Sequence, residues 1–391
     1  MEFKEYLMED ALAAIIDYRG KTPQKSESGV PTLSAKSVKN NYINYAECYH
    51  ISKAEYKRFM VRGFPQKGDI LLTTEAPMGM VARLDRENIA IAQRLLTLRG
   101  KEGILDNDYL LYLLQSPYGQ GLLKAKETGT TVTGIKQSEF RRIVIKLPDF
   151  AVQKKVSSVL NAIDSKISCN TKINDNLQQQ LFSLYENIAM TSPCSKEDTL
   201  SNLCDFQEGY VNPAQTHPEF FDGEVKWLRA VDINESFITE TSRTLTRAGF
   251  ESAKKSALLF KPNTIAISKS GTIGRLGIVA DYMCGNRAVI NIAPHNSNML
   301  AFIYCFLKSK QREFPNMAVG SVQKNLYVSL LEPLSVSMPD DESLTTFNAV
   351  GASILDMIHN NCVENTKLAN LRDTILPKMM SGEIDVSDIQ L

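Results

Sequence analysis

The 391-residue chain carries an imperfect copy of itself. Gly129-Thr130-Thr131 is echoed by Gly320-Ser321-Val322, and Leu147-Pro148-Asp149 by Met338-Pro339-Asp340; both pairs lie 191 residues apart. Further upstream the offset drifts to 195, where Pro77-Met78-Gly79 lies over Thr272-Ile273-Gly274 and Val30-Pro31-Thr32-Leu33 over Val225-Lys226-Trp227-Leu228. Identity is low, but the order of features is kept. A chain of two like halves builds the same supersecondary unit twice. The expected class is α+β: two mixed α/β globules, 1–149 and 192–340, each followed by a long helical segment, 150–191 and 341–391.

Within each globule the strand signals are short and rich in β-branched residues. Asp69-Ile70-Leu71-Leu72-Thr73-Thr74 corresponds to Thr264-Ile265-Ala266-Ile267-Ser268, and Ile89-Ala90-Ile91-Ala92 is expected to correspond to Ala288-Val289-Ile290-Asn291-Ile292. A helical pattern follows in both halves, from Tyr109 and from Ala301.

The long segments constrain more. From Val156 the apolar residues fall on a 4-3 spacing through Leu160, Ile163 and Ile167, and resume at Leu177, Leu181, Leu184 and Ile188. The two missing seam positions are Asn170 and Asn174. The offset of 191 carries the seam to Phe347, Gly351, Ile354, Ile358, Asn361, Asn365, Leu368, Arg372, Ile375 and Met379, so the two Asn recur. Gly351 and Arg372 break it, with Val350 and Leu371 expected to cover for them. A seam sustained over several heptads calls for a partner helix. If the two helices run antiparallel, Asn170 meets Asn365 and Asn174 meets Asn361. A buried polar layer costs stability and fixes register; the alternative is that these amides face solvent or another protein. Forty helical residues span ~60 Å at ~1.5 Å per residue. Two globules on such a coiled-coil spacer, related by a pseudo-twofold axis, suit a split recognition sequence on duplex DNA.

Composition excludes several classes. Forty-four Lys and Arg balance forty-four Asp and Glu, so a strongly basic coat protein is out, while local basic patches stay open. The seven cysteines and four histidines are scattered without a CxxC, so no zinc site assembles and the thiols read as free in a reducing cytoplasm. The N-terminus lacks a basic segment followed by an apolar one, and no apolar run is long enough to span a membrane.

Catalytic constellations are not found. Asn212-Pro213-Ala214-Gln215 lacks the second Pro and the aromatic of an amino-methyltransferase motif. No phosphate loop occurs, and Gly271, Gly274 and Gly277 are not spaced as a dinucleotide fingerprint. Pro148-Asp149 and Pro339-Asp340 read as helix starts. A non-enzyme is expected.

The candidates for DNA contact are polar and basic residues in corresponding loops. In the first half they are Lys36 and Lys39, then Thr131, Thr133, Lys136 and Gln137. In the second they are Arg229, then Ser268, Lys269, Ser270, Thr272 and Arg275, then Asn286 and Arg287, and finally Ser321, Gln323, Lys324 and Asn325. Lys and Arg suit phosphates and guanine edges; Asn and Gln suit adenine.

Four stretches resemble the specificity subunit of a type I restriction-modification system. Ile16-Asp17-Tyr18-Arg19-Gly20-Lys21-Thr22-Pro23 resembles the opening of the family's first target-recognition domain, and Ser270-Gly271-Thr272-Ile273-Gly274-Arg275 its glycine turn. The run Val156–Ile167 with Asn170 and Ile173-Asn174 resembles its central helix. Leu371-Arg372-Asp373-Thr374-Ile375-Leu376-Pro377-Lys378-Met379-Met380-Ser381-Gly382-Glu383-Ile384 resembles its C-terminal tail. Pro77-Met78-Gly79-Met80 departs from the glycine turn. The resemblance implies two recognition domains joined by two antiparallel helices that bind two methyltransferase subunits, with restriction-translocase subunits joining them. It implies no cofactor in this chain; S-adenosylmethionine belongs to the methyltransferase, which methylates N6 of a flipped adenine. Other readings are an orphan DNA-binding module without a methyltransferase and a structural coiled-coil connector.

Overall fold

Short β-branched runs cannot bury both faces alone, so they assemble into small sheets covered by helices. The structure is a computed structural model and describes residues 2–129 and 133–386. It divides into two units by contact: residues 1–165 with 369–391, and residues 166–368. Each unit therefore holds one globule and a share of both long helices.

The first unit is entered by Lys4–Leu7, paired antiparallel with Val144–Leu147. Its main sheet orders Leu12–Asp17, Leu95–Gly100, Ile70–Thr73 and Val81–Arg83, all antiparallel. A second sheet runs Ala90–Ile91, Val30–Leu33, Tyr49–Ile51 and Lys25–Ser26. One core lies between the main sheet, the helix Asn107–Gln115 and the long helices, taking in Tyr109, Tyr112, Leu160 and Leu376. The other lies between the sheets, around Tyr18, Leu33 and Leu71.

The second unit repeats the plan. Lys196–Thr199 pairs with Ser335–Met338. The main sheet orders Cys204–Glu208, Val289–Pro294, Ile265–Ser268, Leu276–Val279 and Phe237–Ile238. Its core includes Phe302, Ile303, Leu181 and Leu355. The second sheet orders Thr244–Leu245, Phe221–Leu228, Met283–Gly285 and Leu259–Phe260.

One expected correspondence is corrected. Val289–Pro294 matches Leu95–Gly100, since both lie between the same neighbours of the main sheet. Ala90–Ile91 matches Met283–Gly285 instead: each pairs in parallel with an internal strand of its second sheet, Ala90 with Thr32 of Val30–Leu33 and Cys284 with Trp227 of Phe221–Leu228. Two short apolar runs spaced alike along the chain are not distinguishable by pattern alone.

The long helices span Phe150–Thr191 and Asp341–Ser381. The second is capped by Asp340, whose carboxylate accepts the Ser343 N–H at 2.9 Å. In the second unit the helices run antiparallel through the Asn layer: Asn170 Nδ2 donates to Asn365 Oδ1 at 2.9 Å and Asn361 Nδ2 to Asn174 Oδ1 at 2.8 Å. Asn170 and Asn174 are buried. The two breaks in the seam resolve differently from the expected cover. Val350 and Leu371 point to solvent, 44% and 49% exposed. Arg372 holds its own seam position by an ion pair to Asp164 at 2.7 Å. Gly351 is where the helix Leu300–Lys310 comes close, a Cβ there falling 2.6 Å from that of Ala301.

Candidate nucleic-acid interface

A strand that ends at a sheet edge leaves backbone groups to satisfy, and in both units these groups tie the candidate loops together. In the second unit the turn after Ile265–Ser268 closes by Gly274 N–H to the Ser268 carbonyl at 3.0 Å. Lys269 N–H donates to the Ala288 carbonyl at 2.7 Å, and the Lys269 carbonyl accepts Leu326 N–H at 2.9 Å. Asn286 N–H reaches the Leu228 carbonyl and Gly209 N–H the Val289 carbonyl, both at 2.9 Å. The loops around 209, 229, 268–275, 286–288 and 319–326 thus form one laced platform. The last closes on itself through paired backbone bonds between Val319 and Asn325.

The first unit is laced by the same bonds. Gly79 N–H meets the Thr73 carbonyl at 2.9 Å, Thr74 N–H the Arg94 carbonyl at 3.0 Å, and Ile135 N–H the Thr74 carbonyl at 3.0 Å. Thr128 and Gly134 pair as Val319 and Asn325 do. The Gln120 amide donates to the Gly79 carbonyl at 2.9 Å, and Gln311 donates to Gly274 over the same distance. Thr73 Oγ1 bridges the Pro77 carbonyl and Met80 N–H, while Ser268 Oγ bridges the Thr272 carbonyl and Arg275 N–H. The turn whose sequence departs from the glycine pattern keeps its hydrogen bonds because they need only a hydroxyl, a Gly at positive φ and main chain.

Four of the candidates are engaged within the protein. Ser268 is fully buried and spends its hydroxyl inside the turn, so it offers nothing to a ligand. Lys269 is 13% exposed, ion-paired to Glu208 at 2.8 Å and set 4.8 Å over the Tyr327 ring. Glu208 also accepts the Tyr210 hydroxyl, which raises that phenol above its ordinary value. Arg229 is half-buried; its N–H and side chain both meet Asp232, and its guanidinium lies 5.6 Å over Trp227. Lys39 pairs with Glu47 at 3.6 Å.

The remaining candidates lie outward. Lys36, Thr133, Lys136, Thr272, Arg287, Ser321, Gln323 and Lys324 are exposed; Gln137, Ser270, Arg275, Asn286 and Asn325 are half-buried. Asn325 donates its amide to the Gln323 carbonyl, stiffening the loop tip where Val322 is fully exposed. Thr133 lines a cleft of about 640 Å³ with Pro77, Met78, Gln120 and Lys124. Thr131 lies outside the described residues. Sequence reading missed a cluster on the first platform: Glu75 pairs with Arg19 and, at 3.4 Å, with Arg94, and Gln93 donates to Thr22. A signal existed, since the register that sets Leu95–Gly100 over Val289–Pro294 places Gln93 over Arg287 and Arg94 over Ala288.

Among the described residues no group of His, Cys, Asp or Glu could hold a metal ion, and no helix is long and apolar enough to cross a membrane. The family model of the type I restriction modification DNA specificity domain matches twice, over residues 13–179 and 195–373. The chain belongs to the type I restriction-modification DNA specificity family. This specificity protein is 26% identical over 385 residues to the type I restriction enzyme MjaIX specificity subunit of Methanocaldococcus jannaschii, covering 92% of this chain and 88% of that one. It is 22% identical over 402 residues to the HindI specificity subunit of Haemophilus influenzae, covering 82% and 87%. Its fold is similar to the crystal structure of the type I restriction-modification S subunit from M. genitalium, with a TM-score of 0.56, 17% identity, and 97% and 96% coverage. As a specificity component it recognises the DNA target and is non-catalytic.

Proposed function

We propose that the two platforms read the two parts of a bipartite duplex DNA target, one each, and that the long helices dock two methyltransferase subunits and, in the full system, restriction-translocase subunits. The observation that carries the reading is the platform itself: one set of backbone bonds, built twice, displaying different side chains. The first displays Lys136, Gln93 and the Arg19–Glu75–Arg94 cluster; the second displays Arg275, Arg287, Gln323 and Lys324. Two like scaffolds with unlike readers fit two unlike half-sites. S-adenosylmethionine chemistry then resides in the docked methyltransferase, and the assembly works in the cytoplasm. The balanced charge of the chain supports shared phosphate contacts, with the partners supplying part of the electrostatic affinity.

The test is a whole-genome map of modified adenines in cells with and without the gene. Loss of a split motif on deletion is the expected result. No change would favour the orphan DNA-binding module. Exchange of residues 195–338 for the second recognition domain of a relative should then alter one block of the motif and leave the other; alteration of both blocks would contradict one platform per block.

A further inference from the structure

Each globule rests its principal helix on the two long helices of its own unit, and the repeat allows the two resting places to be compared position by position. The register is anchored independently on both sides: Gln120 and Gln311 hold the same turn carbonyl, and the Asn pairs mark matching points of the long helices. At matched positions the chemistry is opposite.

In the first unit the seat is polar and connected. Arg83 Nη2 donates to Asn161 Oδ1 at 2.6 Å and pairs with Asp108 at 2.9 Å. Asn161 Nδ2 donates to Asp108 at 2.7 Å, closing that triangle. The Tyr112 hydroxyl donates to Asp164 at 2.7 Å, and Arg372 donates to the other oxygen of the same carboxylate at 2.7 Å. Asp164 and Arg372 are largely covered, at 23% and 16% side-chain exposure.

In the second unit the repeat replaces Arg83, Asp108 and Tyr112 by Ile278, Met299 and Ile303, and Asn161, Asp164 and Arg372 by Ala352, Leu355 and Leu181. None of the six bears a hydrogen-bonding side chain apart from a thioether. Leu181, Ile278, Ile303 and Leu355 belong to one buried cluster. Steric form differs as well. Tyr185, Phe302 and Phe347 meet edge to face with centroids 5.5–6.2 Å apart, and Gly351 admits the helix carrying Ala301. The first unit has Leu160 and Leu110 at the Gly351 and Ala301 positions.

We infer that the two seats are an address: the polar seat accepts the first globule, the apolar seat accepts the second, and neither accepts the other, whether the globule comes from the same chain or from a second copy of it. A first globule on the apolar seat would bury the Arg83–Asp108 pair and the Tyr112 hydroxyl against Ala352, Leu355 and Leu181, which replace none of the bonds that Asn161 and Asp164 supply, and its Leu110 would meet the backbone at Gly351. A second globule on the polar seat would cover the Asp164–Arg372 pair with isoleucine and methionine and leave the Asn161 amide without its partners on Arg83, Asp108 and Tyr112. One arrangement leaves the Tyr112 hydroxyl and the other the Asn161 amide desolvated without a partner, and each buries an ion pair stripped of its additional hydrogen bonds, a stronger discriminator than a lost apolar contact. The helix pair is thereby barred from carrying two identical globules, and the order of the two readers is set by side chains outside the platforms.

The test uses a full-length chimera in which a copy of residues 192–340 replaces residues 1–149, prepared on the native helices and on helices carrying Leu160→Gly, Asn161→Ala, Asp164→Leu and Arg372→Leu. Limited trypsinolysis reads whether the N-terminal copy is docked, with the C-terminal copy in the same molecule as internal reference. The expected result is that the N-terminal copy is cut at least tenfold faster than its C-terminal twin on native helices, and that the four changes bring the two rates within about twofold. Equal protection of both copies on native helices would overturn the inference. So would equally fast cleavage of the N-terminal copy in both backgrounds.

Discussion

Asn361 donates its side-chain amide to Asn174 at 2.8 Å, and one turn away Asn170 donates in the opposite direction, to Asn365 at 2.9 Å. Within the two Asn pairs each helix gives one bond and receives one. Asn170 also donates to Glu364, which pairs with Lys166 at 3.2 Å. A shift of either helix by one turn would keep a single Asn pair and set the other two amides against apolar seam positions, Ile358 and Ile167 for one direction and Leu368 and Leu177 for the other, so the layer favours one register.

Truncating one side of the layer exposes its worth. Asn170→Ala leaves the Asn365 carbonyl without its donor and should cost about 1–3 kcal/mol. Urea unfolding of Asn170→Ala, Asn365→Ala and the double variant should give a coupling energy of about 0.5–3 kcal/mol. Replacement of both by Leu should be neutral or stabilising.

Acid should weaken the layer through Glu364. Hydrogen bonds from Asn170 and Lys166 hold its carboxyl below the usual carboxylate range. A depressed folded pKa gives stability that is complete above the unfolded value of about 4.3 and is lost as pH falls through the folded one. The Tm advantage of the native chain over Glu364→Gln should be flat above about pH 5 and shrink below it. A constant gap down to pH 3 would count against this.

Gly209→Ala should unlace the second platform. The added Cβ would lie 2.2 Å from the Asn286 carbonyl oxygen and 2.5 Å from the Gly285 carbonyl carbon, both backbone. Overpacking of this kind costs about 1–3 kcal/mol. A lowered Tm should be accompanied by loss of discrimination at one target block.

Arg287 and Lys324 should separate base reading from phosphate anchoring. For the assembled complex, Lys324→Ala should weaken cognate and non-cognate DNA alike and lower the log K–log salt slope by about 0.9. Arg287→Ala should cost about 1–3 kcal/mol on cognate DNA and less elsewhere, relaxing preference at one position. Binding isotherms across a salt series distinguish the two.

The repeat, the long helices and the Asn register were legible because each rests on periodicity, which a sequence displays directly. The two departures on the seam, Gly351 and Arg372, were not. Their roles depend on what stands opposite, Ala301 in one unit and Asp164 in the other, and neither partner follows from heptad spacing. The reader loops were legible as loops. Which side chains face outward was not: Ser268 and Lys269 sit in a polar, basic run, yet one serves the turn and the other is drawn under by Glu208 and Tyr327. The Arg19–Glu75–Arg94 cluster joins residues from three separated loops, so composition never displayed it.

Because the platform is stitched by main-chain bonds, what it displays is cheap to revise. A change at Arg287, Gln323 or Lys324 leaves every stitch in place, since none of these side chains supplies one. New target words can therefore be spelled letter by letter on an unaltered page, and a lineage can change its vocabulary without relearning how to fold.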